Sequence, residues 1–133
     1  INKLQPLVDA SKNILRKAIG NIKGGVKIAD IGGLIETEAK KHGFKVIKNL
    51  AGHGVGRSLH EKPEDILNYR VRSNRERFKK NTTVAIETFI STSSNIAVEL
   101  QDGWTLVGNK GGYVTQHEQL ANGWEVLSPI HLE

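Results

Sequence analysis

The chain contains no cysteine. That excludes a disulfide framework and any thiolate metal site, so a bound metal would need nitrogen and oxygen ligands. Such ligands favour hard or borderline divalent ions. No apolar run approaches the roughly 18 residues needed to cross a bilayer, so a membrane protein is not expected. Ile1 to Gly20 alternates charged and apolar residues and lacks the apolar stretch of a secretory signal, which points to the cytoplasm. Methionine is absent too, and the chain opens on Ile1. A fragment of a longer gene product is therefore expected. There is no internal repeat, low-complexity tract or linker.

What is present suits one domain, residues 1–133, long enough to bury a single core of modest size. Hydrophobic residues at 38% and charged residues at 25% are ordinary for a soluble globular chain. The net charge of +5 is concentrated at Arg70, Arg72, Arg75, Arg77, Lys79 and Lys80, relieved only by Glu76. Such a patch fits a solvated loop or edge, or a surface that meets RNA.

Leu4, Leu7, Val8, Ile14, Leu15, Ala18, Ile19 and Ile22 recur at helical spacing until Gly24 and Gly25 end the pattern. A second helical series runs from Ile28 to Ala39, tolerates Gly32 and Gly33 at some cost, and closes with Lys40, Lys41, His42 and Gly43. From Phe44 the residues become β-type, leading into a glycine-rich loop at Gly52, Gly54 and Gly56. Glu61 to Lys80 is polar, and Pro63 argues against a regular strand there. Thr83 to Ile90 carries the strongest strand signal. Further strands are predicted at Ile96–Leu100, Trp104–Val107, Tyr113–Glu118 and Trp124–Leu127, with turns at Asp102-Gly103 and at Asn109 to Gly112. Helix, helix, then antiparallel strands predicts an α+β domain with helices packed on one face of a sheet.

Four residues stand out for chemistry. In Gly52-His53-Gly54-Val55-Gly56 the glycines allow a sharp turn and a close backbone approach to whatever the imidazole holds. The loop matches neither a phosphate loop nor a dinucleotide fingerprint, and a histidine there is either a ligand or a structural group satisfied by one or two hydrogen bonds. His60 is too far along the chain for the paired ligands of a helical metalloprotease motif, but its unperturbed pKa of about 6.5 suits proton transfer or a hydrogen bond to a reacting carbonyl.

Glu87 lies in an apolar strand. Alternation places Ala85, Glu87 and Phe89 on one face and Val84, Ile86, Thr88 and Ile90 on the other. A carboxylate buried there must be paired, protonated or metal-bound. Glu118 repeats the pattern, sharing a face with Val114 and Gln116 while Thr115 and His117 take the other. Two strand carboxylates and a glycine-flanked histidine are what a borderline-to-hard cation asks for.

Gly52-His53-Gly54-Val55-Gly56-Arg57, Leu59-His60-Glu61-Lys62-Pro63, Ala85-Ile86-Glu87 and Gln116-His117-Glu118 resemble, in order and approximate spacing, the C-terminal half of type I methionine aminopeptidases. The resemblance runs from the first helix to about Glu118. It implies one half of the pita-bread fold, whose cleft holds two divalent ions (cobalt, manganese, iron or zinc), and removal of N-terminal methionine from nascent chains. Carried over, it makes His53, Glu87 and Glu118 metal ligands, with Glu118 bridging the two ions. Glu87 becomes the proton shuttle, and His60 the catalytic histidine that binds the scissile peptide. The family's two aspartate ligands come from an N-terminal half not represented here. Asp9 and Asp30 fall in predicted helices, and Asp65 and Asp102 in polar segments. The isolated chain is accordingly expected to be inactive without that half or a second chain. Two further departures are Gln119 and Leu120, where the family continues with histidine and threonine, and Lys80-Asn81-Thr82, where it has proline, glycine and methionine. The alternative is a non-catalytic pita-bread module that contacts the ribosome or RNA through the Arg70–Lys80 patch.

Overall fold

A computed structural model describes residues 4–55, 61–80, 82–103, 106–121 and 126–130. Helix α1 spans Gln5–Gly20 and α2 spans Ile28–Lys41. Pro6 sits in the first turn of α1, where its missing N–H leaves no helical bond unmade. The apolar series expected from periodicity forms the buried stripe of α1: Leu7, Ala10, Ile14, Leu15, Ala18 and Ile19. Beyond α2, Gly43 adopts φ 80°, the left-handed conformation that closes a helix and that glycine enters without a Cβ clash.

Among the described residues eight strands follow: β1 (Lys45–Val46), β2 (Ala51–Val55), β3 (Glu61–Leu67), β4 (Thr83–Ser91), β5 (Ala97–Glu99), β6 (Leu106–Gly108), β7 (Val114–Ala121) and β8 (Val126–Ile130). Their main sheet has the order β3-β2-β4-β7-β8 with β1 also on β4, and β5-β6 form a separate hairpin. Every pairing among the described residues is antiparallel. The fold is α+β, helices on an antiparallel sheet, as the sequence predicts. Val84, Ile86 and Ile90 of β4 join the isoleucines of α1 and α2 in one apolar cluster. These residues define the helix-facing side of the sheet.

Two expectations are corrected by the structure. The glycine-rich segment around His53 is not a turning loop: residues 51–55 form β2, which pairs with both β3 and β4. A Cβ at Gly52 would lie 2.3 Å from the Ala85 carbonyl oxygen. The glycine there permits a close approach between strands rather than a turn. Pro63 does lie in a strand, β3, against expectation. It is tolerated because β3 is at the sheet edge, and because the register slips between Gly52↔Ile66 and Gly54↔Glu61, so this stretch of β3 is not evenly paired.

Gln119, Leu120 and Ala121 keep their place in the sheet, with β4–β7 pairing unbroken from Ser91↔Val114 to Val84↔Ala121. The last strand, predicted at Trp124–Leu127, is found at Val126–Ile130. Gly32 and Gly33, an apparent cost to α2, have a packing reason: a Cβ at Gly32 would fall 2.3 Å from the Tyr69 carbonyl oxygen and 2.7 Å from that of Leu67.

Candidate metal centre

Strands β2, β4 and β7 are neighbours, and on the side of β4 away from the helices they bring His53, Glu87 and Glu118 together. His53 pairs across to Ala85, two residues before Glu87, and Glu87 lies directly opposite Glu118. His53 Nε2 is 3.2 Å from Glu87 Oε2, and both residues are 7% exposed. The His53 Nδ1 lies 2.9 Å from the Gly54 carbonyl oxygen. A carbonyl only accepts, so Nδ1–H is the donor and Nε2 is the nitrogen turned toward the carboxylate.

Gln116, two residues before Glu118 on the same face, donates from Nε2 to Glu87 Oε1 at 2.9 Å. Burial pushes the Glu87 carboxyl up from 4.5 to about 7, and the charge of Glu118 adds to the rise. His53 and the Gln116 hydrogen bond act in the opposite sense.

A metal-binding histidine usually anchors its other ring nitrogen on a carbonyl or carboxylate, which is the arrangement of His53. A cation among these groups would oppose the repulsion between Glu87 and Glu118. The donor set of one imidazole and two carboxylates thus fits a divalent ion of the borderline-to-hard class. The match is one of ligand type and the shell is partial: as placed, no group of three or more His, Cys, Asp or Glu side chains among the described residues could hold a metal ion. The described aspartates are elsewhere. Asp9 accepts from Gln5, Asp30 pairs with Arg70, and Asp65 and Asp102 are exposed. His60 lies outside the described residues.

A model of metallopeptidase family M24 matches residues 2–120. The chain belongs to this family. Among its relatives, methionine aminopeptidase 2 of Bacillus subtilis is 40% identical over 116 residues, which are 87% of this chain and 47% of that protein. The methionine aminopeptidase of Aquifex aeolicus is 37% identical over 114 residues, 85% of this chain and 44% of that one. Solved structures agree. Methionine aminopeptidase from Thermotoga maritima superposes with a TM-score of 0.81 at 37% identity, covering 90% of this chain and 49% of that chain. The enzyme from Rickettsia prowazekii gives 0.83 at 27% identity, covering 95% and 52%. This M24 chain therefore spans about half the length of the relatives it matches.

Two residues near the centre were missed in the sequence. Gln116 was legible, since alternation had put it on the face of Glu118. Asn68 was not marked: it is 0% exposed and bonds the backbone of β4 on either side of Thr88. The basic patch is also partly tied up. Arg70 pairs with Asp30 of α2, and Arg77 donates to the Gly25 carbonyl at 2.7 Å. Asp30 therefore relieves the patch as well as Glu76. Among the described residues no helix is long and apolar enough to cross a membrane.

Proposed function

We propose that this chain is one half of a methionine aminopeptidase, corresponding to the C-terminal part, which removes N-terminal methionine from nascent chains once its complement supplies the remaining ligands. The reading is supported above all by His53 Nε2 meeting Glu87 Oε2 at 3.2 Å with Glu118 directly across the strand pair. His53, Glu87 and Glu118 would hold two divalent ions jointly with two aspartates of the other half. When bound, the ions supply Lewis acidity to the peptide carbonyl and to the attacking water. Glu87 accepts and passes on the proton of that water. Gln116 fixes the Glu87 carboxylate in place. His60 hydrogen-bonds the scissile peptide.

The test is reconstitution. Alone, the chain should bind Mn²⁺ or Co²⁺ weakly and leave a Met-Ala peptide intact, and it should gain activity when the complementary half is added. Hydrolysis by the repurified chain alone, sensitive to Glu87→Gln, would overturn the half-site reading.

A second reading, a non-catalytic module binding ribosomal RNA, is favoured by one observation: a polar depression of about 620 Å³ lined by Lys27, Arg70, Arg72, Arg75 and Arg77 together with Asp30 and Asn74. It prevails if the reconstituted pair stays inert while RNA binding, steeply weakened by salt, is lost on Arg72→Ala with Arg75→Ala.

A further inference from the structure

The edge of β4 that faces β2 is served by two short strands with a gap between them. β2 covers Thr83 to Ala85, and β1 covers Ile90 and Ser91. Glu87 lies in the gap. The gap is bridged by one residue just beyond β3: Asn68 donates from Nδ2 to the Glu87 carbonyl oxygen at 2.8 Å and accepts the Phe89 N–H on Oδ1 at 2.7 Å. The Phe89 amide can only donate, so it fixes which way the Asn68 amide points and leaves Nδ2 facing the Glu87 carbonyl. Phe89's own carbonyl is taken by Ile47 N–H at 2.9 Å. The side-chain amide thus offers β4 the donor and acceptor that one residue of a neighbouring strand would have offered.

We propose that Asn68 is a positioning residue for the Glu87 ligand, its amide holding the β4 backbone so that the Glu87 side chain meets His53 and Glu118. The role rests on the reading of Glu87 as a metal ligand. Asn68 is fully buried, so bulk water does not compete for the two β4 groups it satisfies. The amide matters as a pair of groups. In Asn68→Asp the carboxylate would still accept from Phe89 but would set an oxygen against the Glu87 carbonyl.

The experiment is a Mn²⁺ titration of the full chain, following the broadening of the His53 and Glu118 resonances, alongside hydrogen exchange at the Phe89 amide. Asn68→Ala and the isosteric Asn68→Asp should each weaken Mn²⁺ binding about tenfold, in the range seen for residues that support a ligand rather than bind metal. Asn68→Ala should also speed exchange at Phe89. Ile14→Ala, a core change in α1, should lower stability without altering Mn²⁺ affinity. If Asn68→Ala does not fold, Asn68→Asp carries the test. Wild-type affinity in Asn68→Asp while Glu87→Gln weakens binding overturns the positioning role alone. An equal loss in Ile14→Ala also overturns it, by tracing the effect to general loosening. If Glu87→Gln leaves Mn²⁺ binding unchanged, the ligand reading fails and the role of Asn68 falls with it.

Discussion

The two faces of β4 are almost equally dry and carry different groups. Toward the helices, Val84, Ile86 and Ile90 are no more than 1% exposed, and the polar groups among them bond to one another: Ser11 Oγ lies 2.9 Å from both Thr88 Oγ1 and His117 Nδ1. On the far face Glu87 is also buried, but its neighbours include a second carboxylate and an imidazole that crowd it. Burial alone does not separate a core from a site. What separates them is the kind of polar group that is buried: hydroxyls and an imidazole bonded to one another on one face, two facing carboxylates on the other.

The largest expected effect breaks the helix-facing side. Ile86→Ala removes a fully buried side chain from the cluster between α1, α2 and the sheet. Urea denaturation should show a loss of roughly 2–5 kcal/mol, the usual range for such a cavity. Mn²⁺ affinity of the molecules still folded should hold, because the side chain points away from Glu87. A fall in affinity matching the fall in stability would mean that the two faces are not separable.

Glu87→Gln sharpens the contrast from the other side, with a smaller effect on stability. The Glu87 carboxyl is raised from 4.5 to about 7, chiefly by burial and then by Glu118. With the folded value above the unfolded one, its contribution is fully present below about pH 4.5 and lost as pH rises through about 7. In chelator at pH 8, Glu87→Gln should therefore be more stable than the wild-type chain, and the difference should close toward pH 4. Equal stabilities at pH 8 would show that the ionised carboxylate is well accommodated without a cation. In Mn²⁺ the order should narrow or reverse, since only the carboxylate gains from the ion.

The same two faces explain what could be read in advance. Period-two alternation needs only the order of residues, and in β4 it separated Glu87 from Val84, Ile86 and Ile90 before any contact was known. The helices were legible for the same reason, their apolar residues being strongly periodic. β2 was hidden because Gly52 and Gly54 have poor strand propensity, and Gly52 is present for a close approach to β4 that no local pattern reveals. β3 was hidden by Pro63, which is acceptable only at an edge, and edges belong to the sheet rather than to the segment. Asn68 escaped because its partners, Glu87 and Phe89, are far away in sequence and are engaged through backbone atoms that carry no residue identity.

The smallest effect concerns a carboxylate of the opposite kind. Glu38, on α2, binds Lys41 Nζ at 3.0 Å and Lys17 Nζ of α1 at 3.1 Å. The hydrogen bond from Lys41, then that from Lys17, holds its carboxyl below the ordinary value. The sign is thus the reverse of that at Glu87: Glu38 contributes stability above its unfolded value of 4.5, and this is lost as pH falls through the lowered folded one. Glu38→Gln should lower the urea midpoint slightly at pH 7, the gap should shrink in acid, and molar salt should nearly erase it because both lysines are largely exposed. Glu87→Gln in chelator should give a gap of the other sign that grows with pH. If both substitutions shifted stability in the same direction at pH 8, the distinction between a carboxylate placed for stability and one placed for a ligand would collapse. Opposite shifts would locate that distinction in the neighbours, since the two side chains are chemically identical.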